Sequence, residues 1–382
     1  MIIKELSFHG FRNLKDNTVT VSDGINVIYG DNAQGKTNLL ECIWMFNGVR
    51  SFRGAKDSEL IGFESDYACS SLHFYAEDRI QEVRINILPN KREAFLNGVK
   101  KNSPSELIGK CTSVVFSPEH MTLVKNGPSE RRKFLDGALC RLKPRYAMLF
   151  SRYNKILNQR NALLKDIPRH RELLDTLDIW DEKLSVTGGM LAEERLKYTG
   201  LLKRKAYEFH RGISEEKEAL VISYQSGYGA LESDGIPELT EKIKKALEKS
   251  RKEDIYTGCT NYGPHRDDLD ILINGMKARI YASQGQQRSA VLSLKLSEAG
   301  ILKELTGEKP VILLDDVLSE LDLSRQNFLL NKTAGWQVFI TCCDVTAVGH
   351  LHCGRVFYIK DGAVEELSLI HISEPTRRRG IS

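Results

Sequence analysis

The chain has 382 residues, 41% of them apolar and 28% charged, and a net charge of +4. That is ordinary for a globular protein with a sizeable core, and long enough for two or three domains. No uninterrupted apolar run approaches the ~20 residues of a membrane span, and the start, Met1-Ile2-Ile3-Lys4-Glu5-Leu6, reads as a strand rather than a secretion signal. The eight cysteines are scattered and form no C-x-x-C pair, which speaks against a zinc site or redox pair and for reduced, cytosolic thiols.

In chain order, residues 2–29 read as short strands with turns at Asp16-Asn17 and Asp23-Gly24. The apolar run Ile25–Tyr29 leads into Gly30-Asp31-Asn32-Ala33-Gln34-Gly35-Lys36-Thr37, and a helical run, Asn38–Met45, follows. This is the pattern G-x-x-x-x-G-K-[ST] in the strand–loop–helix context it requires. Gly30 and Gly35 let the backbone bend so that its N–H groups aim at phosphate oxygens. The helix N-terminus adds a partial positive charge. Lys36 is expected at the β/γ-phosphates and Thr37 on Mg²⁺. The predicted ligand is therefore a nucleoside triphosphate with magnesium, held by Gly30, Asp31, Asn32, Ala33, Gln34, Gly35, Lys36, Thr37 and Asn38.

Residues 70–97 read as further strands with a turn at Pro89-Asn90-Lys91, and Ser113–Phe116 as a short buried strand. From Ser129, placed to cap a helix, the spacing turns helical. It continues, with breaks at Pro144, Pro168 and Gly188-Gly189, to about Glu216. A strand, Ala219–Tyr224, and a helix from about Pro237 to Arg251 follow. Leu269–Ile273 and Lys277–Tyr281 flank Asn274-Gly275, a hairpin turn. The expected architecture is α/β sequence at both ends (1–117 and 259–367) bracketing a mostly helical arm (118–258). Residues 368–382 have no place in this pattern and read as a non-native or disordered tail.

The net charge says nothing about nucleic acid, but its distribution does. Residues 131–171 carry twelve basic side chains against two acids, Asp136 and Asp166, a net +10 in 41 residues. Such a stripe fits the footprint of a phosphate backbone, with Arg131, Arg132, Lys133, Arg141, Lys143 and Arg145 as the candidate contacts. The ordinary alternative is a solvated helix face neutralised by the acidic run from Glu172 to Glu182.

Pro310-Val311-Ile312-Leu313-Leu314-Asp315-Asp316 reads as a buried parallel strand ending in two carboxylates, where ligands of such sheets bind. Asp315 is expected to hold Mg²⁺, and Asp316 to orient or deprotonate the attacking water. Ser283-Gln284-Gly285-Gln286 opens an amphipathic helix about 30 residues before Asp315. Alone it is no more than an N-cap. Ser319-Glu320-Leu321-Asp322 follows the carboxylates.

The order P-loop, S-x-G-Q, apolar-Asp-Asp, S-x-x-D resembles the ABC-type P-loop ATPase head: Walker A, signature, Walker B and D-loop (Ser319, Asp322). The resemblance implies ATP as the nucleotide, catalytic roles for Lys36, Asp315 and Asp316, and an ATP-dependent homodimer. In that dimer Ser283, Gln284, Gly285 and Gln286 of one copy meet the nucleotide of the other. Ser283 lies 247 positions after Lys36, far more than a transporter head uses. Where transporters carry a switch histidine, Thr341 ends the strand Gln337–Thr341. Arg50, Arg53, His265 and Arg266 are further candidates near the site.

The long helical insert is similar to the SMC-like DNA-repair branch, and in it to the RecF family. Leu6–Leu14, Pro118–Asp136, Tyr262–Leu269 and Leu314–Asp322 carry that resemblance over residues 1–367. One departure is His120, where an acid is expected. The resemblance implies a bacterial recombination mediator in replication and gap repair. It would bind gapped, single- and double-stranded DNA, hydrolyse ATP slowly in a DNA-dependent way, and promote RecA loading with RecO and RecR in the cytoplasm. The alternative is an SMC-like, ATP-gated structural DNA clamp.

Overall fold

The computed structural model describes residues 1–343 and 354–367; the tail expected at 368–382 lies outside them. Two compact units form: residues 1–120 with 302–343 and 354–367, and residues 121–301. The first contributes β1 (Ile2–His9), β2 (Asn17–Thr20), β3 (Ile25–Tyr29), α1 (Lys36–Met45), β4 (Ala68–Ala76), β5 (Arg79–Leu88), β6 (Lys91–Leu96), β7 (Val99–Lys100) and β8 (Ser113–Phe116). The second holds α2 (Thr122–Lys125), α3 (Pro128–Leu142), α4 (Pro144–Asp166), α5 (Leu174–Ile213), β9 (Leu220–Gln225), α6 (Ile236–Thr257), β10 (Asp268–Ile273), β11 (Met276–Lys277), α7 (Ala278–Tyr281) and most of α8 (Gln284–Thr306). The chain then adds β12 (Val311–Asp315), α9 (Leu323–Lys332), β13 (Val338–Cys342), β14 (Arg355–Lys360) and β15 (Ala363–Leu367) to the first unit.

The first unit stacks two sheets over one core. Alternating strands make the antiparallel sheet β2-β1-β4-β5-β6-β7, while the largely apolar and buried β3, β8, β12 and β13 lie in the sheet β15-β14-β3-β13-β12-β8. Runs such as Val-Ile-Leu-Leu are buried on both faces, which is why they pair in parallel at the centre. Their register decides function. Asp315 pairs with Thr341, Thr341 with Ile28 and Cys342 with Tyr29. The carboxylate, the β13 threonine and the entrance to the glycine loop therefore share one sheet edge.

The second unit is built on its own core, which joins Phe134, Leu139, Tyr146, Tyr153, Leu191, Leu202, Ile243 and Leu269 among others. Here the boundary expected at residue 259 shifts. Residues 259–301 pack with the helical unit, because β10 pairs with β9 along its whole length, from Asp268↔Gln225 to Ile273↔Leu220. The hairpin at Asn274-Gly275 forms, with both residues at positive φ (50° and 79°). Its second strand is shorter than expected, since 278–281 turn into α7. The break expected at Gly188-Gly189 is absent: α5 runs 40 residues straight through it. A Cβ on Gly189 would stand 2.4 Å from Thr240 Oγ1 and 3.0 Å from Thr240 N. These glycines admit α6 rather than end a helix. Helix α3 starts at Pro128, before Ser129, with Gly127 as its N-cap, as proline at the first helical position favours.

Candidate nucleotide site

The loop after β3 owes its shape to close backbone approaches. Gly30 has φ 155°, and a Cβ there would meet Ile359 O at 2.3 Å. Gly35, with φ 117°, sits over Asn13, whose Oδ1 would lie 2.9 Å from a Cβ. Ala33 also takes positive φ, 64°. No side chain caps α1, so its first-turn N–H groups stay turned to the loop, an arrangement that favours an anion. The β14–β15 turn braces the loop from outside: Asp361 N–H donates to Gln34 Oε1 at 2.6 Å and Gly362 N–H to Gln34 O at 3.2 Å.

Lys36 is buried, and its ammonium donates to Gly30 O (2.6 Å) and Asp31 O (2.9 Å), with Cys343 Sγ at 3.4 Å. The Thr37 hydroxyl donates to Asp315 Oδ1 at 2.9 Å. Thr341 Oγ1 donates to the same oxygen, also at 2.9 Å, and accepts the Asp316 N–H at 2.9 Å. Burial pushes the Asp315 carboxyl above its ordinary value, with the Thr37 and Thr341 hydroxyls opposing the shift. Asp316 follows in a left-handed conformation, φ 53°, a region costly for most residues but open to Asp. Ser319 Oγ holds that turn by donating to Asp316 O at 2.8 Å. Asp322 caps α9, accepting the Arg325 N–H at 2.9 Å.

Thr37 and Asp315 supply hard oxygens on one point, the donor set that magnesium takes when phosphates and water complete its shell. Among the described residues no group of three or more His, Cys, Asp or Glu makes an all-protein cage.

Several residues join the site that spacing alone does not reveal. Asn13 Oδ1 accepts from Asn38 Nδ2 at 2.7 Å. Arg53, exposed like Arg50, donates to Asn38 Oδ1 at 3.1 Å. Arg12 makes a two-armed ion pair with the fully buried Glu41 of α1 (3.0 and 3.1 Å). For Arg12 and Asn13 the run Phe11-Arg12-Asn13 carries the only hint, whereas Arg53 is among the candidates named from the sequence.

In the second unit, Ser283 and Gln286 form a reciprocal capping box at the head of α8. Gln286 N–H donates to Ser283 Oγ (3.2 Å) and Ser283 N–H to Gln286 Oε1 (2.9 Å). Ser283 and Gln284 are exposed, Gly285 and Gln286 half-buried. His265 and Arg266 belong to this unit and hold it together. The His265 ring lies 2.7 Å from Tyr153 OH and 2.9 Å from Thr260 O, and burial pulls its pKa down to about 4. Arg266 Nε donates to Thr260 O at 3.3 Å.

The basic stripe divides. Arg131 is buried and grips Asp268 with two bonds (2.7 and 2.9 Å). Arg132 donates to Asp267 O at 2.8 Å. Arg141 is buried against the fully buried Glu298, and Arg160 between Asp181 and Asp254. Arg131 and Arg141 are therefore corrected from phosphate contacts to internal ion pairs, and Arg132 is committed to the backbone. Each tethers α3 to a later element. Lys133 and Lys143 point outward, paired with Glu130 (2.8 Å) and Glu194 (2.6 Å). Arg145, Arg152 and Lys155 are exposed on one face of α4, with no ion pair among the described residues.

A mostly parallel sheet whose edge unites a glycine loop, a strand-end carboxylate and a following turn, with a helical unit inserted in the chain, defines an ABC-type P-loop ATPase head. The family model described as "RecF/RecN/SMC N terminal domain" matches residues 2–358. The "DNA replication and repair protein RecF" of Lachnoclostridium phytofermentans is 40% identical over 96% of this chain and 100% of its own length. That of Caldanaerobacter subterraneus subsp. tengcongensis is 41% identical over 95% and 99%. A solved structure of "the recombination mediator protein RecF-ATP in RecFOR pathway" superposes with a TM-score of 0.89 at 41% identity, covering 96% of this chain and 98% of that one. An Smc head bound to the C-winged helix domain of ScpA shares the fold, with a TM-score of 0.55 at 16% identity over 97% of this chain and 99% of that one. The chain belongs to the RecF/RecN/SMC family, in its RecF branch.

His120, the departure from that pattern, accepts the Ser117 N–H through Nδ1 at 3.0 Å. An acid there could accept the same bond. Among the described residues no helix is long and apolar enough to cross a membrane.

Proposed function

We propose that this chain is an ATP-dependent DNA-binding recombination mediator of the cytoplasm. It acts with RecO and RecR at gapped DNA to promote RecA loading. The observation that carries the ATPase reading is the 2.9 Å contact between Thr37 and Asp315 at the sheet edge beside the glycine loop. The loop N–H groups and Lys36 bind the triphosphate. Thr37 and Asp315 hold magnesium, which when bound neutralises charge on the transferring phosphoryl group. Asp316, half-buried at the mouth of the turn, orients or deprotonates the attacking water. The nucleotide is then closed over by Ser283, Gln284, Gly285 and Gln286 of a second copy, so that ATP glues a homodimer and hydrolysis, slow and DNA-dependent, releases it. The DNA contact lies on the outward face of α4, with Arg145, Arg152 and Lys155 joined by Lys133 and Lys143. Such contacts address phosphates and read no sequence.

Size-exclusion chromatography with ATP and gapped DNA tests this. The wild type should dimerise. Lys36→Ala and Ser283→Arg should remain monomeric, and only Ser283→Arg should still take up nucleotide. Dimers of Ser283→Arg at wild-type ATP concentrations would overturn the shared site.

A further inference from the structure

We propose that Thr341 is a positioning residue for ATP hydrolysis, an inference that rests on the ATPase reading above. Its hydroxyl clamps Asp315 and Asp316 into one working arrangement. Thr341 is 1% exposed and sits on β13, between the strand that feeds the glycine loop and the strand that carries the carboxylates. A threonine hydroxyl offers one proton and two lone pairs. Here Asp315 Oδ1 at 2.9 Å is the near acceptor for the proton, well ahead of Leu314 O at 3.5 Å, and a lone pair takes the Asp316 N–H at 2.9 Å. With its one proton committed, Thr341 is not free to donate to a γ-phosphate as a switch residue does.

The two bonds have separate consequences. Thr37 donates to the same Asp315 oxygen, and it must turn its own oxygen to a metal ion to serve as a ligand. Thr341 is then the hydroxyl that still aims the carboxylate. The bond to Asp316 N–H fixes a residue in the left-handed region (φ 53°), where unsupported side chains drift back to ordinary backbone angles. One oxygen thus sets the metal-side carboxylate and the backbone of the water-side residue together, while Ser319 Oγ meets the Asp316 carboxylate itself at 3.2 Å.

The test compares wild type, Thr341→Val and Thr341→Ser. Two readouts are taken: steady-state ATP hydrolysis, and binding of a fluorescent non-hydrolysable ATP analogue in EDTA and in Mg²⁺. Thr341→Val should bind the analogue in EDTA as the wild type does. Its affinity gain from Mg²⁺ and its kcat should each fall about ten- to a hundredfold, the scale of one hydrogen bond to a charged group, and KM should rise with the lost Mg²⁺ gain, since slow chemistry makes KM follow Kd. Thr341→Ser should restore both. If Thr341→Val folds poorly by circular dichroism, Thr341→Ala takes its place. Wild-type kcat and Mg²⁺ gain without the hydroxyl, or a rise in KM alone, overturns the clamp while leaving the ATPase reading intact. A wild type that binds no analogue at all overturns both.

Discussion

Thr37 and Asp315 share a hydrogen bond of 2.9 Å although 278 residues separate them in the chain. The contact exists because β3 and β12 flank β13 in parallel, so that their C-terminal ends meet at one edge. Burial holds the Asp315 carboxyl above its usual value, so in the apo protein the ionised form is disfavoured. As pH falls, the folded protein takes up this proton before the unfolded chain does, and Asp315 costs less stability. Asp315→Asn should therefore be at least as heat-stable as the wild type at neutral pH without nucleotide, the difference shrinking toward acid. It should lose the Mg²⁺-dependent gain in nucleotide affinity. Thermal melts across pH, with and without Mg²⁺-nucleotide, check both halves.

Buried and exposed members of the basic stripe should behave oppositely. Arg141→Ala leaves Glu298 and Lys295 in the interior without their third partner. It should destabilise by about 3–5 kcal/mol, the usual cost of breaking a buried ion pair from one side. Arg145→Glu with Arg152→Glu and Lys155→Glu should change stability little, about 0.5 kcal/mol per site. The triple variant should weaken DNA binding and flatten its salt dependence by about one unit of slope per lost phosphate contact. Urea titration and a salt series of DNA-binding curves separate the two groups.

Glu298 makes an acid-stability prediction. Burial alone would raise its pKa, but Lys295 and Arg141 outweigh it and hold it down at about 2. A lowered carboxylate contributes stability above its unfolded value, and that contribution is lost as pH falls toward 2. Glu298→Gln should lower the unfolding midpoint at neutral pH and show a flatter acid limb than the wild type.

Two glycines on one helix should respond with opposite signs. Gly200 has open space around a would-be Cβ, so Gly200→Ala should stabilise by about 0.5–1 kcal/mol through helix propensity. At Gly189 the same change drives a methyl into Thr240. It should destabilise by about 1–3 kcal/mol, as overpacking does, despite the better helix former.

In the proposed cycle closure needs the nucleotide and release its hydrolysis, so Asp316→Asn should bind ATP and accumulate as the dimer. Light scattering after ATP addition should show a lasting mass increase where the wild type returns to monomer.

Local chemistry made much of this protein legible as sequence. The glycine loop is readable because its backbone geometry tolerates few residues and its parts are contiguous. The apolar runs at β3, β8 and β12 announce buried parallel strands, and Asn274-Gly275 its turn, for the same reason. What the chain alone left open depends on partners distant in sequence. Charge counting saw +10 between residues 131 and 171 but could not see that Arg131, Arg141 and Arg160 face Asp268, Glu298 and Asp254, which only folding brings near. Gly188-Gly189 read as a break because propensity is local, whereas the approach of α6 that requires them is not. Thr341 showed itself as a strand end, and β-sheet register alone set its hydroxyl between the Asp315 carboxylate and the Asp316 N–H.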